Sequence, residues 1–420
     1  MNARFAIAIL ATAMLCASAL AQEDSAEYWF SKGQELQGND SYEEALQAFD
    51  KAIEIDQSYA FAWGGKGYAL YNMGRYEEAI AAWDRAIELE PDEFSSGSKW
   101  EMKGKALEIL GRNEESAQAY ERALELADKA ITKQKTSTDL NLSAAWSFKG
   151  QLLDDQGRYD EALDAMANSS KANPEDAFAW EFRGNILADR LGRYNDSIEA
   201  YDKSLEIDPK NIGALRGEGY ALASLGRYEE ALGYYNRALE IDPQFARAWE
   251  GKGDALRNLG MYNESIQAYD RAIMEMPQQP QYALIGKGMA LDSLGRYDEA
   301  QKAYEEALLD FDEVARKNPR NAQVMYNQGN ALRGLKRHNE ALQSYDRAIE
   351  LNQGYIDAWR GKALLLHALG RDAEAEEASA KALDLGYRPR MVTAVAGSGP
   401  YVTEKTEMVH EAAQGQGAGA

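Results

Sequence analysis

The sequence predicts an all-α solenoid built from a stack of short helical hairpins, and three observations support this prediction. One pattern of aromatic, small and apolar residues recurs about every 34 residues along most of the 420-residue chain. Within each period, two stretches carry apolar residues at three- and four-residue spacing, which is typical of amphipathic helices. A fixed period of this length indicates a repeat architecture, in which each unit stacks on a neighbour to bury its apolar face.

The period is clearest from Ala60 to Asp92. A first helix is predicted over Ala62–Asn72 and a second over about Glu77–Leu89, because the apolar spacing in both stretches is helical. Gly74 lies between them, where the end of a helix favours a left-handed residue without a Cβ atom. Pro91 follows the second helix and ends it. Each period is therefore predicted to be a helix, a glycine turn, a second helix and a stop.

Ten such repeats are predicted within residues 22–389. Their starts lie near Ala26, Ala60, Gly97, Ser143, Ala177, Ile212, Ala246, Gln281, Ala322 and Ile356. Longer insertions occur at residues 127–142 and 309–318, and the fifth repeat carries one extra residue, Arg190 or Leu191. Insertions of this kind bend a solenoid or decorate its rim.

The period also carries a motif of defined residue types. Trp63 is followed by Gly67 four residues later, and then by Tyr76, Trp83 and Pro91. This order resembles the tetratricopeptide repeat, and matching residues return in most of the ten repeats. The resemblance implies a right-handed superhelix whose first helices line a concave groove, with a protein or peptide as its partner. The chain as a whole is similar to exported multi-repeat proteins of archaeal and bacterial type.

The first 21 residues differ from the rest of the chain. Arg4 supplies a positive charge, Phe5–Leu15 is apolar, and Ala19-Leu20-Ala21 places small residues at both positions of a cleavage site. This order is typical of a signal peptide, here residues 1–21, cut before Gln22. The apolar run is short for a membrane span, and the alternative is an uncleaved anchor. The mature protein is expected in the cell envelope, the periplasm or outside the cell.

Residues 390–420 leave the repeat pattern. Glycine and alanine dominate their end, so most of this tail is expected to be disordered. Residues 403–413 are compatible with a short helix that caps the last repeat.

The charge balance excludes some classes of partner. The chain carries 69 acidic and 46 basic residues, for a net charge of −23. Nucleic-acid-binding proteins need a basic face for the phosphates, so a nucleic-acid partner is not expected. After removal of the signal peptide, no segment approaches the length and apolarity of a transmembrane helix.

Residues that would support catalysis are sparse. Neither His338 nor His367 has a second histidine or a cysteine at metal-ligand spacing, and the third histidine, His410, lies in the tail. No phosphate-binding glycine loop follows a strand. The sequence therefore predicts no enzyme, no cofactor and no metal site.

A column of cations precedes the first-helix glycine. Its members are Lys32, Lys66, Lys103, Lys149, Lys252, Lys287 and Lys362, with Arg183 in the fifth repeat. One interpretation is a cationic ladder for an acidic ligand. The other is that the lysine stems cover apolar surface while their ammonium groups meet carboxylates.

The resemblance places the binding surface on the first helices. Projecting that arrangement gives the candidate groove residues Phe61, Tyr68, Tyr71, Asn72, Phe178, Phe182, Asn185, Arg216, Tyr220, Tyr282, Tyr326, Asn327, Asn330, Arg333 and Arg360. Tyrosine and asparagine suit peptide recognition, because rigid rings supply contact area and amides pair with a peptide backbone. The alternative is that the aromatic residues pack between adjacent repeats. The lysine and asparagine clamp that chaperone-binding relatives use for a terminal carboxylate is absent.

Five sequons offer asparagines for glycosylation, at Asn39, Asn141, Asn168, Asn195 and Asn263. An exported protein carries glycans at such sites if its host glycosylates asparagine. The alternative for Asn195 and Asn263 is that the repeat itself requires the serine of the sequon for packing.

Together these observations predict an extracytoplasmic scaffold that binds a protein or peptide partner in its groove. Two alternatives remain open: a structural envelope component that self-associates, and a glycan-binding accessory subunit of a secretion or carbohydrate-processing system. Because a repeat fold hosts many functions, the partner's identity does not follow from the fold.

Overall fold

The computed structural model describes residues 25–91, 94–133, 140–317 and 319–385. These residues form helices joined by turns, without a strand, and the predicted all-α class, built from helical hairpins, is confirmed. The signal peptide predicted at 1–21 and the tail at 390–420, with its expected helix at 403–413, lie outside the described residues. The same holds for residues 134–139 of the first insertion.

Each predicted repeat contributes two helices. The first helices are α1 (Ala26–Gly38), α3 (Ala60–Asn72), α5 (Ser96–Ile109), α7 (Leu140–Asp155), α9 (Ala177–Asn185), α11 (Ile212–Ser224), α13 (Ala246–Asn258), α15 (Gln281–Ser293), α17 (Ala322–Gly334) and α19 (Ile356–Ala368). The second helices are α2 (Tyr42–Ile55), α4 (Tyr76–Leu89), α6 (Asn113–Lys133), α8 (Tyr159–Ala172), α10 (Tyr194–Ile207), α12 (Tyr228–Ile241), α14 (Tyr262–Glu275), α16 (Tyr297–Lys317), α18 (His338–Leu351) and α20 (Asp372–Asp384).

The described chain divides into two compact units. The residues up to Ile186 form the N-terminal unit, and those from Leu187 onward form the C-terminal unit. Within each unit, a helix packs mainly on the helices directly before and after it in the chain, and first helices also contact the first helix of the next repeat. Neighbouring repeats within a unit thus supply each other's core.

The turn inside each hairpin explains the recurring glycine. Gly74 has φ +76°, and the next N–H, of Arg75, donates to the carbonyl of Leu70 at 2.9 Å. This bond satisfies a carbonyl that the end of α3 would otherwise leave unpaired. In the ninth repeat Lys336 takes the same position with φ +59°, a conformation that costs energy for a residue with a Cβ atom.

The second-helix aromatic residue is the main core element of a repeat. Tyr269 of α14 is buried against Gly253 of its own repeat and Gly286 of the next. A Cβ atom would lie 2.7 Å from the ring at Gly253 and 2.4 Å at Gly286. These glycines therefore make room for a ring between two first helices.

The insertions lengthen helices. In the eighth repeat α16 continues to Lys317, and its buried Phe311 meets the edge of Tyr282 with ring centroids 5.5 Å apart. In the third repeat α6 continues to Lys133. The extra residue of the fifth repeat falls in a π-helical turn, Ile186–Arg190, that follows α9. Such a turn absorbs one residue without ending the helix.

Candidate functional site

The lysine column pairs within the protein. The ammonium of Lys66 lies 2.6 Å from Asp50 of the preceding repeat and 5.5 Å from the centroid of the Trp63 ring. The ion pair to the preceding repeat recurs at four more positions. These pairs are Lys103 with Asp84, Lys149 with Asp128, Lys287 with Asp270, and Lys362 with Asp346. These contacts support the interpretation that the ammonium groups meet carboxylates, and they leave no open cationic ladder at these five lysines.

Glu218 of α11 occupies the lysine position in the sixth repeat. Its side chain is only 2 % exposed, and its Oε2 atom makes no hydrogen bond. Burial and the charge of Asp202 on α10 raise the pKa of Glu218 to about 7, although a hydrogen bond from Tyr234 and the charge of Arg237 act the other way. The sequence analysis missed this residue. An acid in a column of lysines is the signal that would have found it.

In the N-terminal unit, the candidate residue Phe61 forms an aromatic group with Phe30 and Tyr59. Phe61 is 47 % exposed, and its ring centroid lies 6.2 Å from that of Phe30 and 6.0 Å from that of Tyr59. The ammonium of the buried Lys99 lies 5.7 Å from the Phe61 ring. Phe61 therefore presents an apolar ring to solvent above a fixed cation. Phe30 and Tyr59 were not among the predicted site residues.

Tyr68 and Tyr71 are only half-buried and pack partly inside the repeat. Their ring centroids lie 5.7 and 6.0 Å from that of the buried Trp83. The Tyr68 hydroxyl shares a hydrogen bond with Ser98 of α5, and burial raises its pKa. The amide of Asn72 donates to the backbone carbonyl of Tyr68 at 2.8 Å. Each ring thus packs on Trp83 with one side, which supports the packing alternative. A role of these two tyrosines in ligand binding stays a prediction.

A charged triad lies beside these tyrosines. Lys105 of α5 pairs with Glu101 at 2.7 Å and with Asp155 of α7 at 2.9 Å. Burial raises the pKa of Glu101, and the charges of Lys105 and Asp155 both act on the Tyr71 hydroxyl. With one cation and two acids, this triad contains one more acidic than basic side chain.

The fifth-repeat residues lie together on α9. Phe178 is exposed, Phe182 is half-buried, and their ring centroids lie 5.8 Å apart. Asn185 follows at the end of the same helix and is half-buried.

In the C-terminal unit, tyrosines from the sixth, eighth and ninth repeats act on one hydroxyl group, that of Tyr355. Tyr220 and Tyr282 are 39 % and 37 % exposed, whereas Tyr326 and Tyr355 are half-buried with ring centroids 5.5 Å apart. Burial raises the pKa of Tyr355, and the neighbouring Asp357, Tyr326, Tyr282 and Tyr220 raise it further. The charges of three other tyrosine hydroxyls thus reach the hydroxyl of Tyr355. We call these four residues the tyrosine cluster.

Tyr355 was missed by sequence reasoning, because it precedes α19 rather than lying on it. Tyr59 holds the same place before α3 and contacts Phe30 with a centroid distance of 5.4 Å. An aromatic residue directly before a first helix is therefore a signal for a groove residue.

Three polar candidates of this unit are paired within the protein. Asn330 accepts a hydrogen bond from the core Tyr345 hydroxyl at 2.8 Å, and Asn327 donates to the carbonyl of Gln323 at 2.9 Å. Arg360 pairs with Asp357 at 2.7 Å.

The other two arginines of the predicted groove are half-buried. They are Arg216 on α11 and Arg333 on α17. Arg247 of α13 is exposed and was not predicted. Burial, with the charge of Asp254, raises the pKa of its neighbour Glu250 to about 7, although Arg247 itself lowers it.

Two sequons place their asparagine in solvent and their serine in the core. Asn195 and Asn263 are exposed near the starts of α10 and α14, whereas Ser197 and Ser265 are fully buried. The Ser265 hydroxyl donates to the carbonyl of Gly253 at 2.8 Å. Packing therefore accounts for these serines, and glycosylation stays a prediction.

The remaining sequons differ in their surroundings. Asn39 is exposed directly after α1, and Asn168 is half-buried on α8. The side chain of Asn141 lies outside the described part.

The described residues were also searched for a metal site, a ligand cavity and a membrane-spanning helix. No cluster of three or more histidine, cysteine or acidic side chains there is suited to a metal ion. A cavity of about 310 Å³ borders α16, α17 and α18, but Gln328 in its wall already pairs with Asp312 at 2.6 Å and with Ser344 at 3.3 Å. None of the described helices has the length and apolarity to cross a membrane.

Comparison with known proteins gives matches along most of the repeats. Family models described as tetratricopeptide repeat match residues 26–59, 60–93, 100–129, 149–212, 216–283 and 281–354.

Two curated relatives match short segments. Over 55 residues, the chain is 38% identical to the small glutamine-rich tetratricopeptide repeat-containing protein 2 of Mycosarcoma maydis, covering 13% of this chain and 15% of that protein. Over 61 residues, it is 43% identical to the uncharacterized protein MJ0572 of Methanocaldococcus jannaschii, covering 14% of this chain and 71% of that protein.

Similar solved structures include yeast Tom70, at 14% identity and a TM-score of 0.46, with 93% of this chain and 96% of that chain covered. A tetratricopeptide repeat protein from Parabacteroides merdae is 18% identical with a TM-score of 0.47, and 65% of this chain and 99% of that chain are covered.

Proposed function

The chain belongs to the tetratricopeptide repeat family, and from that membership we propose that it is an exported scaffold binding an extended protein segment on its first helices. The observation that carries this proposal is the tyrosine cluster, where Tyr326 packs on Tyr355 and the charges of Tyr282 and Tyr220 reach the Tyr355 hydroxyl. Two of these rings remain well exposed although the second-helix rings are buried. Exposed aromatic rings with hydroxyl groups are typical of recognition surfaces.

The tyrosine cluster favours an extended segment over a helix. Hydroxyl groups both donate and accept, so they pair with the free N–H and C=O groups of an extended backbone. A helical ligand has already paired its backbone groups and would offer only side chains. Ring faces beside the hydroxyls supply apolar contact area for the ligand's side chains.

Export is a second part of the proposal. It rests on the order of charge, apolar run and small residues in residues 1–21. Mass spectrometry of the envelope and secreted fractions is expected to find a mature N-terminus at Gln22. Recovery of an intact N-terminus from the cytosol would contradict export.

The binding experiment uses residues 22–420 as bait against the host's envelope and secreted fractions. A variant bait carries Tyr220→Ala and Tyr282→Ala, and a control bait carries Tyr297→Ala, which removes an exposed tyrosine at the start of a second helix. We expect one protein to be captured by the unaltered and control baits and lost from the variant. Capture of the protein itself by all three baits would favour self-association, and displacement by oligosaccharides would favour a glycan ligand.

A further inference from the structure

The arginines at the turns of this acidic chain pair with their own neighbours. Arg227, for example, holds Glu230 with two hydrogen bonds of 2.7 and 2.6 Å, and Arg337 holds Glu340 in the same way. Arg216 and Arg247 differ, since the side chain of neither makes an ion pair or hydrogen bond within the described residues. Arg216 acts on Tyr235, and Arg247 acts on Glu250, through charge alone.

The fold makes these two arginines neighbours. Arg216 is the fifth residue of α11, and Arg247 is the second residue of α13, the first helix of the following repeat. The same two positions in the N-terminal unit hold Phe30 and Phe61, whose ring centroids lie 6.2 Å apart. Since α11 packs on α13, the repeat geometry brings the two guanidinium groups to the same part of the surface.

These arginines lie beside the tyrosine cluster. Tyr220 follows Arg216 by one helical turn on α11, and the charge of Arg247 acts on the hydroxyl of Tyr282. Glu250, one turn after Arg247, acts on the same hydroxyl. Two cations, one acid and two tyrosines thus border one stretch of surface.

We infer that Arg216 and Arg247 bind a carboxylate side chain, Asp or Glu, of the extended segment that occupies the tyrosine cluster. The inference rests on the proposed function and names the chemical class of its ligand. Two adjacent cations repel each other, and a carboxylate relieves this repulsion while the planar guanidinium groups match its two oxygens. Because the acid Glu250 lies beside Arg247, the site suits a singly charged group better than a phosphate.

The test uses the mature chain, residues 22–420, and three labelled decapeptides. One has aspartate at alternate positions with alanine between, and the other two replace aspartate by asparagine or by lysine. Binding is followed by fluorescence anisotropy up to 1 mM peptide. One variant carries Arg216→Ala and Arg247→Ala, and its matched control carries Arg296→Ala and Arg347→Ala, which remove the same charge at arginines already paired with glutamates.

We expect the aspartate peptide to bind more tightly than the other two. The Arg216→Ala/Arg247→Ala variant is expected to weaken it at least tenfold, whereas the control pair changes its Kd by less than about twofold. Thermal unfolding of both variants, followed by circular dichroism, verifies that each is folded.

The outcomes separate the inference from the proposed function. One outcome is that the asparagine peptide binds as tightly as the aspartate peptide, and that affinity falls in Tyr220→Ala/Tyr282→Ala but not in Arg216→Ala/Arg247→Ala. In that case the proposed function stands and the inference about the arginines is wrong. If the lysine peptide binds best, the inference is also wrong. If no peptide binds, or none responds to the tyrosine substitutions, both fail for this surface.

Discussion

Glu218 of α11 acts on Asp202 of α10 across a boundary where other repeats join a lysine to an aspartate. In the second repeat the same two positions hold Lys66 and Asp50, with nitrogen and oxygen 2.6 Å apart. At Glu218 the cation is replaced by an acid, so attraction becomes repulsion, and burial leaves little water to screen it. We therefore expect the stability of the boundary between the fifth and sixth repeats to depend on the protonation of Glu218.

The first prediction concerns stability against pH. The pKa of Glu218 is raised to about 7 in the folded chain from an ordinary value of 4.5. The folded protein therefore binds the Glu218 proton more tightly than the unfolded chain does. The stability that this protonation contributes is full below pH 4.5 and is lost as the pH rises through about 7. Glu218→Gln is expected to raise the free energy of unfolding at pH 8 by roughly 2–3 kcal/mol and to change it little at pH 4.5.

Urea unfolding at both pH values measures this effect. Glu229→Gln removes an exposed acid near the start of α12 and serves as the control. We expect no change in the pH dependence of its free energy of unfolding. Equal pH dependence in Glu218→Gln and the unaltered chain would contradict the assignment.

The second prediction concerns the close contact of a ring and a backbone. Gly286→Ala places a Cβ atom 2.4 Å from the buried Tyr269 ring, which forces the ring or α15 to shift. We expect a loss of about 1–3 kcal/mol in the free energy of unfolding. Gly233→Ala on α12 is the control, because no atom lies within 4 Å of its added Cβ. The control is expected to stabilise by about 0.5–1 kcal/mol, and similar effects of the two substitutions would contradict the packing argument.

The third prediction concerns the left-handed turn position. Lys336 has φ +59°, and Gly260 has φ +76° at the same turn of the seventh repeat. Lys336→Gly is expected to stabilise by about 0.5–1 kcal/mol, and Gly260→Ala to destabilise by about 1 kcal/mol. Thermal melts of both variants test the pair, and a loss of stability in Lys336→Gly would show that its side chain contributes more than the backbone strain costs.

The fourth prediction concerns the pH dependence of ligand binding. Burial and Asp254 raise the pKa of Glu250 to about 7, and Arg247 lowers it. Above pH 7 Glu250 is charged and competes with a ligand carboxylate for Arg247, and below pH 7 it is neutral. The charged groups that act on it are Arg247 and Asp254 on α13, and Glu250 in turn acts on the hydroxyl of Tyr282 on α15.

The aspartate peptide is therefore expected to bind severalfold more tightly at pH 6 than at pH 8. Glu250→Gln is expected to remove most of that difference, because its amide carries no charge at either pH. An unchanged pH dependence in this variant would exclude Glu250 as the competing group.

The sequence by itself determined the fold class, because the signals that set it are local. The helical spacing of apolar residues, the glycine of each turn and the aromatic residue of each second helix act within one repeat or its neighbour. The positions of groove residues on first helices such as α11 and α15 follow from the same register. Even the single extra residue of the fifth repeat was visible as a break in the period.

Only the tertiary structure decided which of these residues are available to a ligand. Lys66 is paired with Asp50 of the preceding repeat, and Asn330 is paired with Tyr345 of the second helix of its own repeat. In both cases the partner lies on another helix, and helical spacing alone does not identify it. Tyr68 and Tyr220 hold the same place in their first helices, yet Tyr68 packs partly on Trp83 while Tyr220 is more exposed. Availability depends on packing, burial and charge across repeats, and these are properties of the folded chain.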